Sequence, residues 1–589
     1  MSEVEPEHWE RANRELIAKL LTELAFEDVL LPETAEQDDG GAAFTLAMGE
    51  RIVLRYAGRP RPLGGWRIDP ASVTAEVDGR PAPLPGAAEL VAAGAPALGA
   101  DASTTAGLVG EVAMTVRSDA AQLACGRPAA ELLDLDPLLL EGEMRGHPWI
   151  VASKGRVGFS AADADAYAPE AQQPIALPWL AVDPALAEVR GLDNTTVVRE
   201  QVGEQGFAEL RRRAAAAGID PAVLLPVHPW QWENRIRVLH AGDLANGRIA
   251  HLGALGDRYL AQQSIRTLAD AAEPGRRMLK LPVSILNTSV YRGLPRDRTL
   301  AAPALTDWLT TRCSADPFLR ECGLELLGEV ASVSVPHAAF EAIPDVPYQH
   351  TELLGAIWRE PVTPRLRPGE RAITLAALIH SDPAGTPFVE PLIARSGLTV
   401  EAWATALHEA TLPPLVHVLY RHGTTFSAHA QNCMIVLRDD VPVRLVVKDF
   451  IDDMQISAEP IPELADLPPA VRAALGDGVE APIITQWVWC GLMVCVHRYL
   501  AELLEQRLGY PPDAFWAAAE RAIAAYQERF ADELGDRFAL FDFDAPAFVK
   551  LCLNRVRLLG RGYADAAERP TAAAIGFLEN PLAPREALA

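Results

Sequence analysis

Residues 429–449 read His429-Ala430-Gln431-Asn432-Cys433-Met434-Ile435-Val436-Leu437-Arg438-Asp439-Asp440-Val441-Pro442-Val443-Arg444-Leu445-Val446-Val447-Lys448-Asp449. Two runs of β-branched and apolar residues flank a polar break, which predicts antiparallel strands closed by a loop at 439–442. Paired residue numbers in a hairpin have a constant sum, so this closure pairs 438 with 443 and sets Asn432 opposite Asp449 at the open end. Their Cα atoms would then lie about 4.5–5.5 Å apart. An amide oxygen beside a carboxylate is a hard-oxygen pair that Mg²⁺ takes alongside phosphates, so Asn432 and Asp449 are the candidate metal ligands. The plainer alternative is a polar end to an ordinary hairpin, which the neighbouring His429 and Gln431 weaken.

Upstream, Leu279-Lys280-Leu281-Pro282-Val283-Ser284-Ile285-Leu286 alternates, so one strand would put Lys280 and Ser284 on the face opposite Leu279, Leu281, Val283 and Ile285. Lys280 lies in a basic segment, with Arg266, Arg276, Arg277, Arg292, Arg296 and Arg298 set against Asp270, Glu273 and Asp297. Thr288 is eight residues beyond Lys280, about 26 Å along an unbroken strand, so two separate anion subsites are expected. Asn287-Thr288-Ser289 reads as a helix N-cap, with Thr288 and Arg292 on one face of a short helix ended by Gly293 and Pro295. A carboxylate could dock there. A solvated, acid-paired face is the competing reading of the basic segment.

The chain has 589 residues, long enough for two to four domains. Lys and Arg number 53 against 79 Asp and Glu, a net charge of -26, which disfavours nucleic acid and anionic membrane as partners. Seven scattered cysteines without CxxC or zinc spacing read as reduced thiols of a cytoplasmic protein. The N-terminus is acidic and helical in pattern (Trp9, Leu16, Leu20, Leu24) rather than signal-like, and the longest apolar run, Trp487–Val496, is half a membrane span. An N-terminal domain is expected over 1–145, with strand-like pieces such as 51–56 and a patternless stretch at 81–110. A strand-rich middle domain follows over 146–383. A mostly helical C-terminal domain occupies 384–589, with helices at 400–419, 494–508 and 513–534, the last capped by Asp513. The fold class is α+β. No HExxH, GxSxG, GxxxxGK[ST] or GxGxxG stands in a convincing context.

The ordered set Gly146-His147-Pro148, Lys154, Arg156-Val157-Gly158-Phe159-Ser160, Pro226-Val227-His228-Pro229-Trp230-Gln231, Ser264-Ile265-Arg266-Thr267, Lys280, Thr288-Ser289, Arg292, His429-Ala430-Gln431-Asn432 and Lys448-Asp449-Phe450 resembles the IucA/IucC family of siderophore synthetases that act independently of nonribosomal peptide synthetases. The likeness spans roughly 140–560, counting Lys550 to Arg555. It implies a three-part thumb, fingers and palm architecture with a kinase-like palm. It also implies use of ATP and Mg²⁺ to adenylate a carboxylic acid, followed by attack of an amine or alcohol. Dimers are frequent in the family, which makes a homodimer the candidate assembly. By resemblance, Ser264, Arg266, Thr267, Lys280, His429 and Gln431 would hold the nucleotide, and Asn432 and Asp449 the metal. His147, Lys154, Arg156, Thr288, Arg292 and Lys550 would hold the acid, with Lys280, His429 and Arg292 acting in the reaction.

Two departures bear on substrate and metal. The family's second His-Pro is Ile150-Val151 here, an apolar patch that argues against citrate. A family Glu is Ser427, for which Asp439, Asp452 or Asp453 could compensate. The alternatives are a kinase-like phosphotransferase and a noncatalytic nucleotide- or siderophore-binding homologue.

Overall fold

A computed structural model describes residues 4–38, 40–255, 259–559, 563 and 565–583; of the N-terminal segment read above, residues 1–3 lie outside it. Helix and strand are mixed throughout. In the first part, the strands Glu33–Asp38, Gly41–Met48, Ile52–Pro60, Thr74–Val77 and Arg80–Ala82 form an antiparallel meander. Period-two burial along Gly41–Met48 turns Ala42, Phe44, Leu46 and Met48 inward. The helix Pro6–Phe26 packs Leu16, Leu20 and Leu24 into this core, whereas Trp9 is exposed. The 81–110 stretch that lacks pattern holds the helix Ala87–Ala93 and the start of Ala102–Cys125. Ala, Gly and Thr dominate the longer helix, so it packs closely without a strong apolar stripe; Asp101 caps it, accepting from the Thr104 N–H at 2.7 Å.

The middle is built on a six-stranded antiparallel sheet ordered Tyr259–Ala261, Thr267–Asp270, Met278–Lys280, Gly355–Arg359, Glu329–Ser334, Glu188–Gly191. The alternating run at 279–286 is not one strand. Pro282 has no N–H to donate, and the chain leaves the sheet there to begin Val283–Asn287, which pairs with Val290–Arg292 in a separate hairpin. Lys280 and Ser284 therefore share no face.

A second sheet, of four strands, orders Glu325–Leu327, Val441–Lys448, Cys433–Arg438 and Glu370–Thr374. Glu325–Leu327 runs parallel to Val441–Lys448, and after Gly328 the same chain enters the six-stranded sheet as Glu329–Ser334. Gly328 is where the sheets meet; a Cβ there would lie 2.5 Å from Thr306 Cγ2. The 429–449 hairpin turns at Asp439-Asp440, both with positive φ, as a two-residue turn requires. This is shorter than the expected loop and shifts the register: Asn432 O accepts from the Lys448 N–H at 2.9 Å, so Asn432 stands opposite Lys448 and not Asp449.

Helices dominate the rest: Val400–His422, Ala481–Val488, Arg498–Leu508 and Pro512–Leu540, the last capped at Pro511 and not at Asp513. A π-helical stretch over 489–497 joins two of them into a helical run, Ala481–Leu508, long and apolar enough to cross a membrane. It is a core helix here, its most apolar window 78% buried. Within it Arg498 donates to Glu23 at 2.9 Å, and Glu23 also accepts from Arg61 at 2.8 Å, tying the N-terminal helix to the C-terminal part. All seven cysteines are free thiols.

Candidate functional site

The junction of the two sheets collects buried charge. In the sheet register Thr267 stands opposite Lys280, and Arg359 opposite both Met278 and Glu329, so Thr267, Lys280, Arg359 and Glu329 share one face. The turn after Lys448 presents Asp449 and Asp452 to that face. Lys280 Nζ, fully buried, donates to Asp449, to Asp452 at 2.8 Å and to Glu329 at 3.4 Å. Arg359 donates to Glu329 at 3.2 Å and lies 2.9 Å from Asp449, and Arg266 donates to Asp452 at 2.8 Å. Burial alone would push Asp449 and Asp452 up; Arg359 and Lys280 outweigh it at Asp449, and Lys280, Arg266 and Arg569 at Asp452, holding both well below the usual carboxylate range. Burial likewise opposes the Lys280 charge, and its acids reverse that and raise its pKa.

Three cations face three carboxylates, so this cluster is balanced. Lys280 is therefore not a free cation, as the composition of the basic segment suggests, but one fully answered by acids. Arg276, Arg277 and Arg296 pair outward with Asp270, Glu200 and Glu188, as a solvated face would, whereas Arg266, Lys280, Arg292 and Arg298 converge here. Arg298 donates to the carbonyls of Ile451 and Asp452 at 3.0 and 3.1 Å, fixing the acidic turn.

Thr288 and Arg292 adjoin, but through a hairpin and not a helix. Thr288 and Ser289 form the turn between Val283–Asn287 and Val290–Arg292, and Arg292 donates to Thr288 Oγ1 and to Asn287 O, the latter at 3.0 Å. Among the described residues no carboxylate pairs with Arg292. Burial, with Arg266 and Arg569 nearby, pulls its guanidinium down to about 10. Arg266 spans the two subsites, donating to Gly293 O beside Arg292 as well as to Asp452; Arg569 reaches the same carbonyl at 3.3 Å and pairs with Glu352. His147 lies in the field of His429, Lys19, Arg292 and Arg498, and burial first, then these charges, keep it neutral. Its Nδ1 accepts from the Trp149 and Ile150 N–H groups at 3.2 and 3.1 Å, which assigns the proton to Nε2 as a donor.

The Ser264–Thr267 turn is rigid. Ser264 Oγ accepts from the Thr267 N–H at 3.1 Å, Glu141 accepts from the Gln263 N–H at 3.1 Å, and Lys448 closes on Glu141 at 2.9 Å. Ile265 (φ 69°), Thr288 (φ 58°) and Asp449 (φ 71°) are left-handed, a strained state for such residues that clusters at this junction.

Asn432 Nδ2 donates to Asp453 at 2.6 Å, while Asn432 Oδ1 is buried without a hydrogen-bond partner. His429 Nε2 is 3.8 Å from Asp453, and the Gln431 N–H donates to His429 Nδ1 at 3.3 Å. An amide oxygen with no hydrogen-bond partner among the described residues, on a side chain bonded to Asp453 and with Asp449 and Asp452 on the same turn, is a donor set that fits Mg²⁺. Asp453 O also accepts from the Ser427 N–H at 2.8 Å, so Asp453 supplies carboxylate next to Ser427, whereas Asp439 sits at the far end of the hairpin.

Three expected acid ligands are engaged elsewhere. Lys154 donates to Asp119 and Gln122 at 2.7 and 2.8 Å, and Arg156 forms a two-point pair with Glu170 at 2.6 and 2.7 Å. Lys550 is held by Phe26 O at 2.9 Å and by Asp28. His228 caps a buried turn, its Nδ1 accepting from the Trp230 N–H, as ordinary packing would have it. Ile150 lines a small apolar cavity with Leu20, Leu24 and Val151 that reaches Thr288. Arg359, Glu329, Glu352 and Arg569 were not singled out in the sequence; only the fold brings them in.

The IucA / IucC family matches residues 136–380, and the ferric iron reductase FhuF-like transporter family matches residues 401–566. The rhizobactin siderophore biosynthesis protein RhbF of Rhizobium meliloti is 40% identical over 98% of this chain and 96% of its own. Aerobactin synthase of Escherichia coli is 33% identical over 98% of each chain. The solved aerobactin synthetase IucC of Klebsiella pneumoniae superposes with a TM-score of 0.84 at 31% identity, again over 98% of each chain.

Proposed function

The chain belongs to the IucA/IucC family of siderophore synthetases, and we propose that it is an ATP- and Mg²⁺-dependent, AMP-forming ligase that activates a di- or tricarboxylic acid as an acyl-adenylate and transfers the acyl group to an amine or alcohol. One observation carries this reading: a half-buried guanidinium that pairs with no carboxylate among the described residues, Arg292, stands next to a balanced charge cluster and is bridged to it by Arg266. A partly desolvated cation that meets only neutral oxygens suits an anionic ligand.

The acid's carboxylate would dock on Arg292, Thr288 Oγ1 and His147 Nε2–H. Ser264, Arg266, Thr267 and Lys280 would carry the triphosphate, with His429 and Gln431 towards the α-phosphate. Attack of a carboxylate on phosphorus joins two anions, and donors fixed in a buried site oppose the charge that accumulates without having to reorganise. Asn432, Asp449 and Asp453 would hold Mg²⁺, which supplies the positive charge that the balanced cluster lacks. The incoming amine must be neutral when it attacks. The apolar cavity at Ile150 favours an acid, or an acyl partner, with less charge at that end than citrate. The thumb, fingers and palm description and a cytoplasmic location belong to the same proposal.

Acids are to be screened for pyrophosphate release from ATP with hydroxylamine as trap. The proposal expects AMP, pyrophosphate and an acyl hydroxamate in an acid-dependent reaction. ADP as product would favour the phosphotransferase, and no turnover with any di- or tricarboxylate would favour a binding homologue.

A further inference from the structure

A second group of metal-ligating side chains lies outside this site, where the helices Pro317–Cys322, Val400–His422 and Pro512–Leu540 meet. Asp316 caps the first of them, its Oδ1 accepting from the Phe318 and Leu319 N–H groups at 2.9 and 3.1 Å. Its Oδ2 faces two imidazoles, His417 Nε2 at 2.9 Å and His422 Nε2 at 3.5 Å. All three residues are buried, and their three donor atoms lie within 4.8 Å of one another. His417 Nδ1 stands 2.8 Å from the Tyr526 hydroxyl, and Phe318 and Phe530 enclose the ring at centroid distances of 4.7 and 5.3 Å.

Hydrogen bonding alone explains Asp316, His417 and Tyr526, which form a satisfied chain. It does not explain His422. That residue is 8% exposed, yet among the described residues its Nδ1 has no hydrogen-bond partner and its Nε2 has only Asp316, at the limit of hydrogen-bond reach, which leaves a buried imidazole poorly satisfied. A separation of 3.5 Å is long for a hydrogen bond. It suits two ligands of one ion: with metal–ligand bonds of about 2.0–2.1 Å, tetrahedral neighbours stand about 3.3 Å apart. The observed 2.9 and 3.5 Å bracket that spacing.

We propose that Asp316 Oδ2, His417 Nε2 and His422 Nε2 bind one divalent transition metal of the zinc class, with a fourth position for water. Two imidazoles and one carboxylate prefer such an ion to Mg²⁺. The outer contacts are those a metal site needs: with Nε2 on the ion, His417 Nδ1–H would donate to Tyr526 at 2.8 Å, and the second oxygen of Asp316 is fixed by two backbone N–H groups. His422 directly precedes Gly423 and the strand Thr424–Phe426, which leads to His429–Asn432. The ion would therefore anchor the root of that segment, a structural role independent of the reaction proposed above.

The test is titration of chelator-treated full-length protein with Zn²⁺ and with Co²⁺, in millimolar Mg²⁺, following bound metal and the visible Co²⁺ bands. The expected result is one saturable equivalent at micromolar Zn²⁺. His422→Ala and His417→Gln should each weaken it at least tenfold, and Asp449→Asn, in the other site, should leave it unchanged. Absence of a saturable equivalent in the unmodified protein overturns the proposal without recourse to any variant. So does an equivalent that survives His422→Ala and disappears in Asp449→Asn.

Discussion

Lys280 and Arg292 carry the same charge into the same junction and have opposite consequences when removed. Lys280 is enclosed by Asp449, Asp452 and Glu329, so Lys280→Ala leaves buried carboxylates under-compensated. A loss of about 3–5 kcal/mol is expected in denaturant unfolding, together with loss of turnover. Arg292 forms no ion pair with an acid among the described residues, so Arg292→Gln should unfold at the denaturant concentration of the parent while raising the KM for the acid about tenfold to a hundredfold. The KM for ATP should stay within about twofold; equal rises in both would place Arg292 on the nucleotide instead. At this scale the sequence was informative where chemistry is local and uninformative where it is not. Lys280, Arg266, Asp449 and Asn432 could be singled out from their neighbours along the chain. Arg359 and Arg569 could not, because only sheet register and a distant C-terminal segment bring them to the site. Lys154 and Arg156 read as ligands because a cation in a motif does not reveal that Asp119 or Glu170 lies across from it.

At the scale of elements, local patterns gave the right neighbours with the wrong geometry. Thr288 and Arg292 adjoin in a hairpin, where the long Arg292 side chain reaches back to Thr288 in the turn, a contact that helical spacing at i and i+4 mimics. The alternation at 279–286 was real, but Pro282 divides it between two sheets. In the 429–449 hairpin the turn is Asp439-Asp440, and the shift that follows moves Asp449 off Asn432 and towards Lys280. The helix Ala102–Cys125 escaped detection because small residues on several sides blur the 3.6-residue period. Gly328 is the element-scale hinge of the site. Thr306 Oγ1 accepts from the Glu329 N–H at 2.9 Å, and a Cβ on residue 328 would press on that threonine. Gly328→Ala should therefore cost about 1–3 kcal/mol and lower kcat through the displaced Glu329. Unchanged stability and turnover would show that the two sheets are not held at this point.

For the molecule as a whole, net charge says little about the places where charge acts. A chain with a net charge of -26 holds some of its buried acids ionised because buried cations answer them, whereas burial prevails at others such as Glu111 and Glu352 and raises them. Glu170 is an example outside the site: burial raises its pKa, but Arg156 and then Lys154 prevail and hold it at about 2. A carboxylate depressed in the fold contributes stability above its unfolded value near 4.5 and loses it as pH falls through about 2. The stability difference between the parent and Glu170→Gln, about 3 kcal/mol at neutral pH, should therefore shrink as pH falls from about 5 to 2. A difference that does not vary with pH would show that Arg156 does not set this ionisation. The molecule's central feature is that Arg292, paired with no carboxylate among the described residues, and the balanced cluster around Lys280 meet through Arg266; on the function proposed above, acid and triphosphate would react directly with each other there. The most direct measurement uses an acid labelled with ¹⁸O in its carboxylate and determines the mass of the nucleotide product once the acyl group has been transferred. Attack of that carboxylate on the α-phosphate, followed by acyl transfer, leaves one ¹⁸O in each AMP. Unlabelled AMP, or label recovered in orthophosphate alongside ADP, would contradict it.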